Sequence, residues 1–348
     1  MAARARALGV ALRPHVKTHK CVEIARRQCD LGARGLTVST LAEARVFADH
    51  GFDDLTWAFP VVPSRLGEAL ELVRRVTLRL VVDSPEALGW VEEAARGSRS
   101  PIHLWLKVDA GYHRAGVDPA SDRAERLVRA IHASPHLIFD GLLSHSGQAY
   151  GARSRPEAAR AAEEERATMV GLAGRLRVAG LEVPEVSVGS TPGMVAAERL
   201  DGVTEARPGN YAYYDLTQVA LGSCTPADCA LSVLATVVSC QPGADHAVID
   251  AGALALSKDL GPEWIEPPTF GRILASSQDH HQEGGTWRSD VWISSLSQEH
   301  GVLSAPLPLG SRLRILPNHA CLAAACFDTL HALRGDRVIA RWRIHRGR

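Results

Sequence analysis

The sequence predicts an α/β fold: a (β/α)8, TIM-like barrel over residues 1–220, followed by a smaller β-rich domain over residues 221–348. Two observations lead to this prediction. In the first two-thirds of the chain, short β-branched runs alternate with longer stretches rich in Ala, Arg, Glu and Leu, which is the pattern of parallel βαβ units. After about Asp215 the β-rich runs are no longer separated by long helical stretches, which indicates a second architecture.

Eight strand-like runs lie in the first part of the chain, and eight strands fit a closed barrel better than an open, doubly wound sheet. They cover residues 10–16, 36–39, 55–59, 78–82, 102–108, 141–144, 186–188 and 203–206. Helical stretches between them cover residues 21–31, 41–50, 65–74, 85–95, 124–133 and 156–179. In the second part, strand-like runs cover residues 230–239, 247–250, 291–294 and 312–316, and the segment 258–290, rich in Gly, Pro, Ser, Gln and His, is predicted to be a loop.

The composition is ordinary for a soluble globular enzyme, since 46% of the 348 residues are hydrophobic and 22% are charged. Lys+Arg and Asp+Glu both number 39, so the net charge is zero, and neither a nucleic acid nor an anionic membrane is expected as a partner. No apolar run approaches the roughly 20 residues that a transmembrane helix needs. The 7 cysteines are scattered and odd in number, which predicts free thiols and a reducing, cytoplasmic location.

Lys17 follows the first strand-like run, within the basic segment RPHVKTHK. In a barrel the carboxyl ends of the strands form the catalytic rim, so a lysine at this position is placed for chemistry. Its neighbours His15, His19 and Lys20 are cationic, and a lysine held among cations has a lowered pKa, which suits it to form a Schiff base. The alternative interpretation is a surface lysine in a basic turn.

Two glycine-containing loops follow the seventh and eighth strand-like runs, where barrels often bind phosphate groups. The first loop is Gly189-Ser190-Thr191-Pro192-Gly193, in which a glycine allows close approach of the backbone, two hydroxyl groups can donate, and the proline suits the start of a helix. The second loop is Arg207-Pro208-Gly209-Asn210. Clusters of this composition are also common in ordinary turns, but the two together at these positions predict a phosphate site.

The segment PNHAC places His319 two residues before Cys321, and on a strand this spacing points both side chains to the same face. An imidazole and a thiolate form a zinc-like ligand set. Two protein ligands are too few for a closed structural site, so solvent or substrate would complete the shell, as a catalytic metal requires. The alternative is a coincidence of sequence. The pair His280-His281 is a second candidate, but its polar segment is predicted to be solvated.

Six segments, in order, carry a resemblance to a known family: RPHVKTHK, KVDAGYHRAGV, VSVGSTPG, ARPGNYAYYD, SQEHG and PNHAC. Over nearly its whole length the chain resembles the fold-type III pyridoxal-phosphate (PLP) enzymes of the D-serine dehydratase and D-threonine aldolase family, which have an alanine-racemase-like barrel. Residues 200–214 and 230–238 look most similar to the dehydratase branch that acts on D-threo-3-hydroxyaspartate. The family starts with a further strand and helix, and we expect these two elements to be missing from the sequence in hand.

The resemblance implies which residues bind the cofactor, the metal and the substrate. Lys17 is expected to carry PLP as a Schiff base, and the phosphate is expected to be held by Gly189, Ser190, Thr191, Gly209 and Asn210. Tyr150 is expected to line the cofactor, together with Arg114 and His113. His319 and Cys321 are expected to hold Zn²⁺, or another divalent metal such as Mn²⁺, which polarises the β-hydroxyl of a D-amino acid. A homodimer is also expected.

The activity that the resemblance implies is dehydration of D-serine or D-threo-3-hydroxyaspartate to a 2-oxo acid and ammonia, with Lys17 as general base on Cα. One alternative is D-threonine aldolase activity, which yields glycine and an aldehyde. In the aldolases of the family a carboxylate tends to lie near the metal histidine, whereas this chain has the softer Cys321, which favours zinc and the dehydratase. A racemase needs no metal, and a non-catalytic PLP-binding homeostasis protein usually lacks a second domain and a His-x-Cys pair.

Overall fold

The chain is described by a computed structural model over residues 1–98, 100–275 and 287–347. It divides into two compact units, the first formed by Met1–Gly209 with His345–Arg348 and the second by Asn210–Ile344. The predicted domain boundary at residue 220 lies inside the second unit, because Asp215 and Thr217 hydrogen-bond to the backbone of Ala320 and Asn318 there.

The first unit contains an eight-stranded parallel sheet, which confirms the predicted fold class. Its strands are β1 Ala11–Leu12, β2 Leu36–Val38, β3 Asp54–Pro60, β4 Thr77–Val82, β5 Ile102–Lys107, β6 Leu137–Leu143, β7 Glu185–Val188 and β8 Glu205–Ala206. In the sheet they are ordered β1-β8-β7-β6-β5-β4-β3-β2. The parallel bridges Leu12↔Ala33 and His15↔Thr37 connect the β1 region to the β2 region, the two ends of this order. The strands therefore curl round as a TIM-like barrel.

Eight helices accompany these strands: α1 Ala2–Ala7, α2 Val22–Asp30, α3 Leu41–Asp49, α4 Pro63–Val73, α5 Pro85–Ala95, α6 Arg123–Ala133, α7 Arg155–Val178 and α8 Thr191–Ala196. Local signals explain where they begin. Thr40, Ser84 and Ser154 accept a backbone N–H at the start of α3, α5 and α7, and a proline opens the first turn of α4, α5, α7 and α8. All six predicted helical stretches are helices in the structure.

A buried ionic network ties the barrel together where it closes. The Arg13 side chain on the β1 segment is fully buried, and it pairs with Glu205 at 2.8 Å and with Asp54 at 2.6 Å. Arg79 pairs with Asp54 as well, and with Asp140 at 2.8 Å. The network links β1, β3, β4, β6 and β8, so it fixes the short β1 strand, whose own backbone ladder is only two residues long. Removing one member would leave an uncompensated buried charge.

The second unit is built round a closed, antiparallel barrel of six strands in the order β10-β13-β12-β11-β14-β9. The strands are β9 Val233–Ser239, β10 Ala247–Ile249, β11 Gly271–Leu274, β12 Trp287–Leu296, β13 Gly301–Leu303 and β14 Arg312–Pro317, and a separate hairpin pairs β15 Thr329–Arg334 with β16 Arg337–Arg343. The residues of this unit that the structure describes form three short helices: α9 Leu216–Ala220, α10 Ala253–Leu256 and α11 Ala320–Ala324. The barrel core contains alternate strand residues such as Val237, Ile249, Val291, Ile293, Leu303 and Ile315.

The prediction of a loop over residues 258–290 is wrong in part, because β11 and the start of β12 fall inside it. The strand β11 has only four residues, too few to show a period of two in the sequence. It pairs with β12 and β14, and Gly271, at φ +156°, allows a close approach to the Leu316 backbone of β14. His280 and His281 lie outside the described residues. No helix in the part of the chain that the structure describes combines the length and apolarity needed to cross a membrane.

Candidate active site

The turn that carries Lys17 lies at the rim of the parallel barrel. Lys17 is in a 3₁₀ turn, Val16–Thr18, and its side chain is exposed. The backbone of His15 donates to the Pro208 carbonyl oxygen at 3.0 Å, so the loop after β8 anchors the start of this turn. The sequence prediction placed the strand over residues 10–16, but the ladder ends at Leu12 because the chain leaves the sheet for this turn. Lys17 therefore lies where the carboxyl ends of the strands meet.

The basic groups around Lys17 are only partly those that the sequence predicted. His15 lies near Lys17, and burial together with the charges of Lys17 and Arg207 lowers the pKa of its imidazole well below its usual value. His145, after β6, is in the same environment: burial and the charges of Lys17 and Lys107 lower its pKa to about 3.

Two of the predicted neighbours have other partners. His19 is buried between Gln28, at 3.2 Å, and the backbone N–H of Cys21, at 3.1 Å. Lys20 forms an ion pair with Glu43 at 3.2 Å. The local spacing of basic residues in RPHVKTHK therefore did not reveal which of them share the surroundings of Lys17, and His145, Lys107 and Arg207 come from distant strands.

The loop after β7 is packed tightly against the rim. Gly189 has φ +146°, and a Cβ atom there would lie 2.7 Å from the backbone nitrogen of Arg207, so only glycine fits. Its carbonyl oxygen accepts from His145 Nδ1 at 2.7 Å. Ser190 begins α8, where its Oγ accepts from the Gly193 N–H at 3.1 Å, which leaves its own hydroxyl hydrogen available to donate. Thr191 is fully buried in the first turn of this helix.

The loop after β8 approaches the Lys17 turn equally closely. A Cβ atom on Gly209 would lie 2.8 Å from the carbonyl oxygen of His15 and 3.1 Å from Thr18 Oγ1. The two glycines thus bring the backbones of three rim segments together, those after β1, β7 and β8. Backbone N–H groups, serine and threonine hydroxyls and close glycine contacts are the donor set that suits a phosphate group.

Arg207 is a buried cation beneath this rim whose importance the sequence did not reveal. Its guanidinium donates to Ser187 Oγ and to the Ser144 carbonyl oxygen, and burial lowers its pKa to about 10. Each serine hydroxyl in turn donates to a buried carboxylate: Ser187 to Glu205 and Ser144 to Glu165, both at 2.6 Å. The guanidinium is therefore balanced by two carboxylates through the serines rather than by a direct ion pair.

The segment KVDAGYHRAGV forms a closed loop after β5. Asp109 accepts from the backbone of Gly111 and His113, and the bridge Val108↔Val117 closes the loop. The exposed guanidinium of Arg114 lies over the Tyr112 ring, 5.0 Å from its centroid. The Tyr112 ring in turn meets the His145 imidazole edge to face at 6.0 Å.

Two further groups belong to this part of the rim. Burial, followed by the charges of Arg207 and Arg114, lowers the pKa of Lys107 at the end of β5 to about 7. Tyr150, half buried, lies in the 3₁₀ turn Gln148–Gly151 that follows β6. Arg114 and Tyr150 are thus carried by the loops that follow β5 and β6 at the rim of the barrel.

In the second unit, His319 and Cys321 are not on a strand, contrary to the prediction. Strand β14 ends at Pro317, His319 is the extended residue that precedes α11, and Cys321 is the second residue of that helix. The two side chains are brought together by the turn into the helix rather than by strand alternation. The motif identified the pair of residues but not the local structure that positions them.

His319 lies between an aspartate and the cysteine. Its Nδ1 lies 2.9 Å from Asp259 Oδ2, and the Cys321 thiol is a hydrogen-bond partner as well. Although burial favours the neutral ring, these two groups raise the pKa of His319 to about 10. These surroundings thus favour the protonated, positively charged form of the His319 imidazole. Among the residues that the structure describes, no cluster of three His, Cys, Asp or Glu side chains could close a metal shell.

Asn210 is the first residue of the second unit, and its side chain contacts other residues of that unit. Its Nδ2 donates to Asp215 Oδ2 at 2.6 Å and lies 3.7 Å from Cys321 Sγ. The sequence predicted Asn210 as a phosphate donor, and that role remains open only to its backbone N–H. Asp259 and Asp215 were missed by sequence analysis, since Asp259 lies in the segment predicted to be a loop.

Two protein families match the chain: the alanine racemase N-terminal domain over residues 1–217 and the putative serine dehydratase domain over residues 230–333. The chain is 42% identical over 362 residues to D-threo-3-hydroxyaspartate dehydratase from Delftia sp. (strain HT23), covering 99% of this chain and 93% of that protein. It is 34% identical over 365 residues to D-serine dehydratase from Dictyostelium discoideum, covering 97% and 89%. A solved structure of a D-threo-3-hydroxyaspartate dehydratase mutant in the metal-free form is similar, with a TM-score of 0.91 and 38% identity over 98% of this chain and 92% of that one.

Proposed function

Because this chain belongs to the fold-type III family of PLP enzymes that join an alanine racemase N-terminal domain to a serine dehydratase domain, we propose that it removes water from a D-β-hydroxy amino acid. The products would be a 2-oxo acid and ammonia. D-threo-3-hydroxyaspartate and D-serine are the substrates we propose, since two similar proteins are named for dehydration of these compounds.

The rim of the first unit fits PLP, which when bound supplies an electron sink for the carbanion at Cα. Lys17 would bind the cofactor covalently through its amine. The loops at Gly189 and Gly209 would hold the phosphate, since Ser190, Thr191 and the nearby backbone N–H groups supply donors and the two glycines allow the backbone to approach closely. Tyr150 and Arg114 would line the cofactor from the neighbouring rim loops.

The residues of the rim would also handle the proton at Cα. Lys17 Nζ would accept this proton as general base. His15 and His145 have strongly lowered pKa values and are neutral at pH 7, while Arg207 and Lys107 are the basic groups close by.

His319 and Cys321 fit a divalent cation, for which we propose Zn²⁺, or another divalent metal such as Mn²⁺. When bound, the metal supplies a Lewis acid that polarises the β-hydroxyl, otherwise a poor leaving group. Asp259 would hold the ring of His319 through Nδ1 and present Nε2 for coordination, and the Cys321 sulfur would be the second protein ligand. Two protein ligands leave coordination positions open for water or substrate.

The observation that carries this proposal is the Asp259–His319–Cys321 arrangement in the second unit, in which a carboxylate 2.9 Å from Nδ1 fixes an imidazole beside a thiol. A racemase reaction needs no metal and hence no such arrangement. The softer thiolate favours zinc and the dehydratase over the aldolase. The Asp259 carboxylate contacts Nδ1 of His319. We therefore assign it to orienting the imidazole, and we assign the second ligand position to the Cys321 thiolate rather than to a carboxylate.

A product assay tests the proposal. The purified protein, supplied with PLP and Zn²⁺, is incubated with D-serine, D-threo-3-hydroxyaspartate and D-threonine, and ammonia, 2-oxo acids, glycine and aldehydes are measured. Ammonia and 2-oxo acid in equal amounts, with no glycine, are the expected result. Glycine and an aldehyde as products would indicate an aldolase instead of a dehydratase. Conversion of a D-substrate to its L-enantiomer without either set of products would indicate a racemase. The L-enantiomers serve as controls and should give no product.

A further inference from the structure

The side-chain amide of Asn210 faces the sulfur of Cys321. Nδ2 of Asn210 lies 3.7 Å from Cys321 Sγ and 2.6 Å from Asp215 Oδ2, so one NH₂ group addresses both. Asn210 is 5% exposed and its bond to Asp215 is buried, whereas Cys321 is half-buried. An amide nitrogen carries two hydrogens, which allows it to donate to the carboxylate and to the sulfur at once.

Asp215 fixes which end of the amide points at the sulfur. Its side chain is fully buried, and its carboxylate accepts from Asn210 Nδ2, from the Gln218 N–H at 3.0 Å and from the Ala320 N–H at 2.9 Å. A carboxylate accepts but does not donate, so the nitrogen end of Asn210, and not its oxygen, is held beside Cys321. Ala320 lies between His319 and Cys321, so the same carboxylate also fixes the first turn of α11.

We propose that Asn210 is a positioning residue for Cys321: its amide donates a hydrogen bond to the sulfur when this sulfur acts as a metal ligand, and Asp215 orients the amide. This inference rests on the proposed function, in which Cys321 coordinates a divalent metal. A hydrogen bond to a thiolate stabilises the negative charge on sulfur and lowers the energy of its lone pairs. Groups that support a metal ligand in this way typically change metal affinity 10–100-fold when they are removed.

Cobalt provides a spectroscopic readout of this contact that does not depend on catalysis. Co²⁺ bound by a thiolate has a sulfur-to-metal charge-transfer absorption in the near ultraviolet, and its energy reports on the sulfur lone pairs. The wild-type protein and the variants Asn210→Leu and Asp215→Asn are titrated with Co²⁺, with PLP present. In Asn210→Leu we expect the band at longer wavelength and the apparent Kd for Co²⁺ raised about 10–100-fold. Asp215→Asn should shift both quantities in the same direction, because the amide is no longer held.

Gln218→Met is the matched control. Gln218 is a fully buried amide in α9 of the same unit, and its backbone N–H, which the substitution retains, already donates to Asp215. The substitution therefore removes a buried amide without touching the Asn210 side chain, and the cobalt band should stay where it is in the wild type.

The possible outcomes separate this inference from the proposed function. A wild-type protein without any thiolate-to-cobalt band would overturn the metal site itself. If Asn210→Leu shows the same band wavelength and the same apparent Kd for Co²⁺ as the wild type, the positioning role is overturned and the metal site stays intact. If Asn210→Leu does not fold, as judged by circular dichroism, the isosteric Asp215→Asn decides: an unchanged band in this variant overturns the inference.

Discussion

Asp259 Oδ2 and His319 Nδ1 lie 2.9 Å apart, although the two residues are 60 positions apart in the chain. The carboxylate fixes the orientation of the imidazole and directs the other ring nitrogen away from itself. The hydrogen bond to His319 holds the pKa of the Asp259 carboxyl below its usual value, although burial opposes its ionisation. A histidine supported by a carboxylate is a common arrangement behind a metal ligand, which makes Asp259 the support of the proposed metal site.

Asp259→Asn should weaken metal binding. The amide keeps the shape of the side chain but loses the charge that supports the His319 ring, so we expect the apparent Kd for Zn²⁺ to rise about 10–100-fold. Competition with a chromogenic chelator measures it. Asp245→Asn is the control, because Asp245 pairs with His246 at 2.9 Å on an exposed surface and should leave the Kd unchanged. Equal Kd values for the wild type, Asp259→Asn and Asp245→Asn would show that Asp259 does not support the metal site.

Lys17→Ala should abolish the Schiff-base absorbance of bound PLP. In the wild type, borohydride reduction should attach the cofactor irreversibly to Lys17, and peptide mass spectrometry identifies the modified residue. Lys20→Ala is the matched control, because Lys20 is three residues away but forms an ion pair with Glu43. The PLP absorbance of this variant should match that of the wild type. A label on Lys20 or Lys107 would contradict the proposed role of the Val16–Thr18 turn.

Gly189→Ala should destabilise the protein and weaken cofactor binding. Its φ of +146° is open to glycine alone, and the added Cβ would lie 2.7 Å from the Arg207 backbone nitrogen. We expect a loss on the order of 1–3 kcal/mol in the free energy of unfolding, measured with denaturant on cofactor-free protein. Gly174→Ala, within α7 and with no atom within 4 Å of the added Cβ, should instead stabilise by up to about 1 kcal/mol. A harmless Gly189→Ala would argue against the tight packing of this rim.

Lys107 should make the stability of the cofactor-free protein rise with pH. Burial lowers its pKa from 10.5 to about 7 in the folded state, so between these values the unfolded chain binds a proton that the folded chain does not. Stability therefore increases from about pH 7 towards pH 10. Lys107→Met should flatten this increase, measured as the urea midpoint at pH 7 and pH 9.5. Lys258→Met, at an exposed lysine, should keep the wild-type slope.

Removal of the metal should stop ammonia release and leave PLP in place. The proposed metal ligands lie in the second unit, whereas the proposed phosphate loops lie in the first, apart from the backbone of Asn210. Treatment with a chelator should abolish ammonia release from D-serine while the cofactor absorbance persists. Cys321→Ala should behave alike, and Cys321→Asp should shift the metal preference from Zn²⁺ towards Mn²⁺, because a carboxylate is a harder ligand than a thiolate. Full activity in metal-free protein would exclude the metal-assisted mechanism.

Most of the parallel barrel could be predicted because its strands are buried on both faces and read as continuous apolar runs. The run at residues 78–82, which is apolar except for Arg79, is an example, and the structure places β4 at Thr77–Val82. The first strand was predicted too long, because no local signal separates its ladder from the turn that carries Lys17. The four-residue β11 was missed because it is specified by contacts with β12 and β14 rather than by its own pattern.

The sequence by itself determined the order of the elements and the chemical groups available for function: an amine after the first strand, two glycine loops with hydroxyl donors, and a histidine two residues before a cysteine. These features are local, and periodicity and motif spacing report them. Only the tertiary structure decided which groups share an environment. Arg207 donates a hydrogen bond to the carbonyl oxygen of Ser144, 63 residues away in the sequence, and Asp215 accepts one from the N–H of Ala320, 105 residues away. Such pairs form because the packing of each unit brings distant segments of the chain together, and no local sequence pattern specifies which distant residues will be in contact.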